Sequence, residues 1–128
     1  FSHPDITNLR KMYKKEIKEC EETLVKLTGK KPSLFRPPYG SYSKDKLGEI
    51  AKECGYKIIL WTTIDARDWK NPPSAQISNT IINKVQNGDI ILLHDYGTEN
   101  TVEALNVIIP TLMERGYKFV TVSELINK

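Results

Sequence analysis

Apolar residues recur along the chain with two alternating patterns, one typical of amphipathic helices and one typical of buried strands. In the segment 9–27 they fall three or four positions apart, which places them on one stripe of a helix. The same spacing predicts further helices, and short apolar runs between them predict strands. The predicted helices are 9–27, 43–54, 74–85 and 100–115, the predicted strands are 33–35, 56–64, 89–93 and 117–120, and 123–127 forms a last helical turn.

The periodicity also predicts which face of each helix is buried. Gly29 and Gly55 follow the first two helices, as expected of left-handed C-caps. Pro110 lies inside the fourth helix, where its ring removes the hydrogen bond to the carbonyl of Asn106, so we expect a kink there. The predicted inward positions are Leu9, Tyr13, Ile17, Cys20, Leu24 and Leu27, then Leu47, Ile50, Ala51 and Cys54 after an N-cap at Ser43, then Ile77, Ile81 and Val85, and finally Val102, Leu105, Ile109 and Leu112.

Helices and strands alternate with no hairpin signal between two strands, which predicts an α/β fold with mostly parallel strands and right-handed crossovers. The length of 128 residues suits one domain. Four strands are few for a parallel sheet, because its edges must be covered. We therefore expect the open edge at 33–35 to pair with an N-terminal fragment or with a second copy of the chain.

Composition and charge exclude two broad classes of protein. The net charge is only +3, and the charges alternate in sign along the first helix, as on a solvated face. No window combines clustered Lys and Arg with stacking aromatics, which argues against a nucleic-acid groove. A membrane-spanning helix needs about 20 consecutive apolar residues, and no apolar run in this sequence approaches that length. Cys20 and Cys54 both lie in predicted helices, so we expect buried free thiols, and nothing in the sequence supports a bridge between them.

Titratable, aromatic and proline residues concentrate in three loops, each directly after a predicted strand. These loops are 36–39, 65–69 and 94–97. In parallel α/β folds, ligands bind outside the carboxyl ends of the strands, and those ends meet at one edge of the sheet. The distribution therefore predicts a functional site formed by the three loops.

Each candidate residue in these loops has a functional and a structural interpretation. His94 can transfer protons near neutral pH or serve as a hydrogen-bonded structural histidine. Asp68 can fix the tautomer of such a ring or mark the start of a helix, and Trp69 can form a flat wall for a sugar or pack partly buried. Arg36 can pair with a carboxylate in the cleft or on the surface. His3 alone indicates only a surface residue, because one imidazole does not make a metal site.

The three loops, in this order, resemble motifs of the polysaccharide deacetylase family, the carbohydrate esterase group with the NodB homology domain. The resemblance covers essentially the whole chain, from the start to a closing segment at 120–125. Its motifs are Phe1-Ser2-His3-Pro4, similar to the end of the family's His-Ser/Thr-x-x-His metal motif, Arg36-Pro37-Pro38-Tyr39 for Arg-x-Pro-Tyr, Asp65-Ala66-Arg67-Asp68-Trp69 for Asp-x-x-Asp-Trp, and Leu92-Leu93-His94 for Leu-x-His.

The resemblance implies a metal-dependent hydrolase that removes N-acetyl groups from polysaccharide containing N-acetylglucosamine, either peptidoglycan or a chitin-like polymer. It implies a divalent ion, often zinc, with His3 as one ligand. It implies that His94 is the general acid, that Asp68 tunes this acid, and that Arg36 is the partner of the catalytic base. The remaining implied roles are an oxyanion donor in the backbone N–H of Tyr39, a groove wall at Trp69 and an acetyl-methyl pocket at Leu92.

Other parts of the family pattern would precede Phe1, namely the Asp-Asp motif with the base and the first metal histidine. We therefore expect 1–128 to be the C-terminal portion of a single deacetylase domain, part of a distorted (β/α) barrel whose N-terminal strands are missing. Alone it should bind metal weakly and be inactive. The resemblance further implies a secreted or cell-surface enzyme. The alternative is a non-catalytic glycan-binding module that keeps the groove of Tyr39 and Trp69.

Overall fold

The computed structural model of the protein describes residues 13–40, 48–62 and 64–127. The chain divides into two compact units, one up to residue 60 and one from residue 61 onward. The helices of the described residues are α1 (Tyr13–Thr28), α2 (Glu49–Glu53), α3 (Ser74–Lys84), α4 (Glu99–Glu114) and α5 (Val122–Ile126), the strands are β1 (Leu34–Phe35) and β2 (Lys57–Ile58), and two 3-10 turns occupy Pro38–Gly40 and Asp68–Lys70.

Strands β1 and β2 form a parallel pair in the first unit, with Phe35 opposite Ile58. The backbone N–H of Ile59 extends the ladder by donating to the carbonyl of Phe35 at 2.8 Å. This confirms the predicted strand at 33–35, the beginning of the predicted strand at 56–64, and the parallel direction of both.

Helix α1 contributes less to the core than its apolar spacing predicts. Ile17 is buried against Cys54, whereas Leu24 and Leu27 are exposed, the latter at 76%. The prediction that Cys20 is a buried thiol is wrong, because its side chain is exposed, and both cysteines are free. The physical reason is the small size of the partner surface: within the described residues, the core of this unit is one cluster around Ile17, too short to cover a helix of 16 residues.

The predicted helix ends agree with the structure. Gly29 and Gly55 have φ angles of 72° and 80°, in the left-handed region that favours glycine at a helix C-terminus. Ala51 and Cys54 are buried on the predicted face of α2. The predicted N-cap Ser43 and inward Leu47 lie outside the described residues.

The predicted strands of the second unit are mostly absent as ladders. Asp65 and Leu92 form an isolated parallel bridge, and the backbone N–H of Thr62 donates to the carbonyl of Ile90 at 2.9 Å. The segment 117–120 forms no strand, which corrects the sequence prediction. A strand needs a neighbouring strand for its hydrogen bonds, and none lies beside 117–120 in the part of the chain that the structure describes.

Helices α3 and α4 pack together around the core of the second unit. The α3 prediction is confirmed, since Ile77 and Ile81 are fully buried. Helix α4 also forms and continues through Pro110 to Glu114; the expected kink at this proline stays a prediction. The buried core consists of Ile64, Ala66, Ile77, Ile81, Ala104, Ile108 and Leu112.

The inward face of α4 is the predicted one only in part, because Leu105 and Leu112 pack in the core but the other two predicted positions do not. Val102 and Ile109 are 64% and 40% exposed, whereas Ala104 and Ile108 are 1% and 2% exposed. Neighbouring positions on a helix point about 100° apart, so a buried face that contains Ala104 and Ile108 leaves Val102 and Ile109 toward solvent. The sequence stripe was misassigned because Thr101, a polar residue, occupies a buried position of the true face at 2% exposure.

We expect Ile108→Ala to lower the free energy of unfolding by about 3 kcal/mol, because it opens a cavity between α3 and α4. Ile109→Ala is the matched control, with the same chemical change at the adjacent, partly exposed position. It should cost less than about 1 kcal/mol. Denaturant titration of both variants checks the assignment, and an equal or larger loss for Ile109→Ala would contradict it.

Candidate functional site

The backbone of the second unit brings two of the predicted loops side by side. The bridge between Asp65 and Leu92 aligns the two chain segments immediately before the residues of interest. The carboxylate of Asp65 then accepts the backbone N–H of Arg67 at 2.9 Å, which turns the chain sharply. Arg67 and Asn71 have φ angles of 48° and 50°, so two left-handed residues enclose the 3-10 turn that begins at Asp68.

Asp68 is a buried carboxylate with its hydrogen bonds satisfied by two residues. Its side chain is 1% exposed. Oδ2 accepts the backbone N–H of His94 at 2.7 Å and the hydroxyl of Thr101 at 2.8 Å. Oδ1 lies 2.8 Å from Nδ1 of the His94 ring. The predicted approach of Asp68 to His94 is therefore present, on both the backbone and the ring.

These contacts determine the charge of Asp68 and the orientation of the ring. Burial would raise the pKa of the Asp68 carboxyl, but the hydrogen bonds from the His94 backbone, the His94 ring and Thr101 outweigh it, so the pKa lies below its usual value. An ionised carboxylate only accepts hydrogen bonds, so Nδ1 of His94 carries the proton that faces it. The His94 side chain is 38% exposed, and Nε2 is the ring nitrogen that this contact leaves for chemistry.

The first turn of α4 supports the pair from the other side. Thr98 is the N-cap residue, 5% exposed, and its hydroxyl donates to the carbonyl of His94 at 2.8 Å. The side chain of Asn100 donates to the carbonyl of Pro72 at 2.9 Å, and its backbone N–H donates to the side chain of Asn71 at 3.3 Å. The loop after Asp68 and the segment after His94 are thus both attached to the start of one helix.

Aromatic side chains flank this arrangement. Trp69 follows Asp68 and is 57% exposed, with the ammonium of Lys70 5.1 Å from its ring centroid. Tyr96, two residues after His94, is 92% exposed. Trp69 is one of the candidates from the sequence, whereas Tyr96 was not singled out within the loop 94–97.

Sequence reasoning missed Thr98 and Thr101, because polar residues in a helical pattern are usually assigned to the solvated face. The available signal was the register of Thr101 with Ala104 and Ile108, which places one hydroxyl on an otherwise apolar face.

The other sequence candidates are two residues of the first unit, one of the second unit, and His3. Arg36 is exposed directly after β1, in the first unit. Tyr39 is 71% exposed with a φ of 60°, an uncommon angle for a tyrosine. Leu92 is half-buried at the bridge to Asp65. His3 lies outside the described residues, and the convergence of Arg36 with Asp68 and His94 stays a prediction.

The residues that the structure describes do not by themselves fit a divalent metal. No group of three or more His, Cys, Asp and Glu side chains among them is arranged to hold an ion. Asp68 and His94 are also hydrogen-bonded to each other, so Nδ1 and the carboxylate are not available as metal ligands. Across the same residues, no helix combines the length and apolar character needed to cross a membrane.

Comparison with known proteins finds a matching family model, related sequences and similar solved structures. The family Polysaccharide deacetylase matches residues 1–59. A peptidoglycan-N-acetylglucosamine deacetylase of Bacillus cereus is 43% identical over 96% of this chain, which spans 53% of that protein. The peptidoglycan deacetylase PdaC of Bacillus subtilis superimposes with a TM-score of 0.85 at 33% identity, over 99% of this chain and 60% of the other.

A third relative has a different character. A family 4 carbohydrate esterase pseudoenzyme from Bacillus anthracis has a TM-score of 0.82 and 31% identity, over 98% of this chain and 43% of the other. The chain therefore spans about half the length of the relatives it matches. Sequence motifs, parallel strand pairing and these likenesses agree: over nearly its whole length the chain is similar in sequence and fold to polysaccharide deacetylases.

Proposed function

We propose that this chain carries the general-acid part of the active site of a metal-dependent polysaccharide N-deacetylase. Its substrate is a polymer containing N-acetylglucosamine, of the peptidoglycan or chitin type. The observation that carries the proposal is the contact of 2.8 Å between the buried Asp68 carboxylate and Nδ1 of His94. It is supported by the deacetylase relatives.

In the proposed reaction, water adds to the acetamide carbonyl while one of its protons passes to the catalytic base with which Arg36 would pair. The tetrahedral intermediate then expels the sugar amine. As the C–N bond breaks, its electron pair moves to nitrogen, which would leave as a poor, basic leaving group. The His94 imidazolium donates its Nε2 proton to that nitrogen, and the products are acetate and the free amino sugar. The Asp68 carboxylate stabilises the charged ring before transfer and holds its orientation throughout.

The remaining family roles belong to the same proposal. Trp69 forms a wall against the sugar ring, Leu92 contacts the acetyl methyl group, the backbone N–H of Tyr39 stabilises the oxyanion, and Arg36 pairs with the base. His3 is the candidate metal ligand of this chain. A divalent ion such as zinc polarises a carbonyl and activates water when bound.

The wider proposal places residues 1–128 in the C-terminal portion of one (β/α) barrel domain of a secreted or cell-surface enzyme. The remaining motifs would come from an N-terminal fragment. That fragment, or a second copy of the chain, would cover the open edge at 33–35. The partial coverage of the relatives supports this proposal.

Acetate release tests the function directly. The intact protein that carries this chain is incubated with N-acetylglucosamine oligomers and with peptidoglycan, and free acetate is measured. We expect release that stops after treatment with a chelator and returns with added zinc. Retention of glycan without any acetate release, under metal-replete conditions, would contradict the enzymatic proposal.

Retention of glycan without acetate release is the result expected of a glycan-binding module. The exposed faces of Trp69 and Tyr96 favour this second candidate, since flat aromatic surfaces bind sugar rings. The pseudoenzyme relative shows that the fold also occurs without activity. The two candidates differ in one measurement, because a binding module retains glycan while its acetyl content, followed by NMR, stays constant.

A further inference from the structure

The hydroxyl of Thr101 donates a hydrogen bond to a residue outside its own helix. Thr23 and Thr80 in α1 and α3 donate to the carbonyl four residues earlier, at 3.0 and 2.8 Å. This is the usual local bond of a helical threonine. Thr101 instead donates to Oδ2 of Asp68 at 2.8 Å, across 33 positions of sequence.

Burial makes this contact consequential. Thr101 and Asp68 are 2% and 1% exposed, so water does not readily replace the hydroxyl if it is removed. Oδ2 holds two donors, the Thr101 hydroxyl and the His94 backbone N–H, whereas Oδ1 holds the ring. The terminal torsion of an aspartate is broad, so donors on one oxygen determine where the other oxygen points.

We propose that Thr101 is a positioning residue for deacetylation, which fixes the Asp68 carboxylate so that Oδ1 remains aligned with Nδ1 of His94. This inference rests on the proposed role of His94 as general acid. Thr101 touches neither substrate nor the reacting atoms in the proposed reaction, and it acts through Asp68 and the ring. Thr98, which binds the carbonyl of His94 from the same helical turn, completes the support of the pair.

The test compares Thr101→Val with Thr101→Ser in the intact protein. Valine keeps the shape of threonine but lacks the hydroxyl, and serine keeps the hydroxyl. We expect Thr101→Val to lower kcat about tenfold with little change in KM, and Thr101→Ser to restore most of it. Thr80→Val is the matched control on α3 and should behave as the wild type.

A second measurement does not depend on activity. The side-chain carboxyl carbon of Asp68, followed by NMR, reports when that group takes up a proton. Loss of a donor to the charged form raises its pKa, so the Asp68 carboxyl of Thr101→Val should titrate at higher pH than in the wild type or Thr101→Ser. A shift without acetate release by the wild type would overturn the proposed enzymatic function while supporting the Thr101 contact.

Three results would overturn the inference. They are a Thr101→Val protein with the kcat and Asp68 titration of the wild type, a Thr101→Ser protein as impaired as Thr101→Val, and a wild-type Thr101 hydroxyl proton that exchanges with water as fast as that of the exposed Thr23. The exchange measurement uses the wild type alone, so it decides the question even if the valine variant does not fold.

Discussion

Replacing His94 by alanine in the intact protein should lower kcat for acetate release by about 10³-fold, while KM for the glycan changes little. General acid catalysis of this kind contributes about 10² to 10⁴ in rate. The reason lies in the leaving group, because an amine nitrogen that departs without a proton is strongly basic. His94 is the residue whose Nε2 stays available while Nδ1 is bound to Asp68.

The dependence on the leaving group gives a sharper version of this test. A substrate whose leaving group departs readily without a proton, such as an aryl acetate, needs less help from an acid. The His94→Ala variant should therefore lose far less activity toward that substrate than toward the acetamide. Added imidazole should restore part of the lost acetamide activity. An equal loss on both substrates, without imidazole rescue, would show that His94 serves structure and not proton transfer.

Asp68→Asn should reduce kcat by up to about 10³-fold, the loss expected when His94 itself is removed, while the side chain stays in its place. The same replacement in Ser-His-Asp triads lowers kcat by about 10⁴ because it leaves the ring in the wrong tautomer. Here the amide oxygen can still accept from Thr101 and the His94 backbone, so the amide NH₂ faces Nδ1. That geometry requires an unprotonated Nδ1 and opposes the imidazolium form needed for proton donation.

The same variant changes how stability depends on pH. The pKa of Asp68 is lower in the folded protein than its usual value, so its ionised form stabilises the fold. This contribution is present above the unfolded pKa of about 3.9 and is lost as pH falls from there through the lower folded pKa. Denaturant titrations from pH 7 to pH 2 should show a smaller acid-induced loss for Asp68→Asn than for the wild type.

Asp89→Asn is the control for both measurements. Asp89 lies in the same unit and accepts the backbone N–H of Gln86 at 2.8 Å in a turn. This replacement should leave kcat unchanged. An Asp68→Asn protein with kcat and acid stability like those of Asp89→Asn would contradict the assigned role.

The parts of this fold that could be predicted from sequence are those that local chemistry determines. Helix α3 has strong periodicity after two prolines, and its buried apolar residues Ile77 and Ile81 were predicted correctly, whereas the buried Ser78 was not. Asp68 and His94 were predicted to meet because their loops follow segments predicted as parallel strands, whose ends would share one edge. The structure keeps this alignment through the single bridge between Asp65 and Leu92. Whether the segments 89–93 and 117–120 form strands could not be predicted from local sequence, because a strand depends on a neighbour elsewhere in the chain.

Only part of the buried face of α4 could be predicted from hydropathy, for a related reason. An apolar scale assigns Val102 and Ile109 to the core and Thr101 to solvent. In the structure, a buried carboxylate from a distant loop satisfies the hydroxyl of Thr101 and so makes its burial favourable. The partner lies 33 residues away, and no local pattern contains that information.

Helix α4 has one end in the candidate site and its middle in the hydrophobic core. Thr98 and Thr101 hold His94 and Asp68, and on the same face Ala104 and Ile108 follow three and seven residues after Thr101. Heat that loosens this helix should therefore inactivate the protein at the temperature at which its tertiary structure melts. Selection for thermal tolerance in α4 and selection for turnover would then act on the same few side chains.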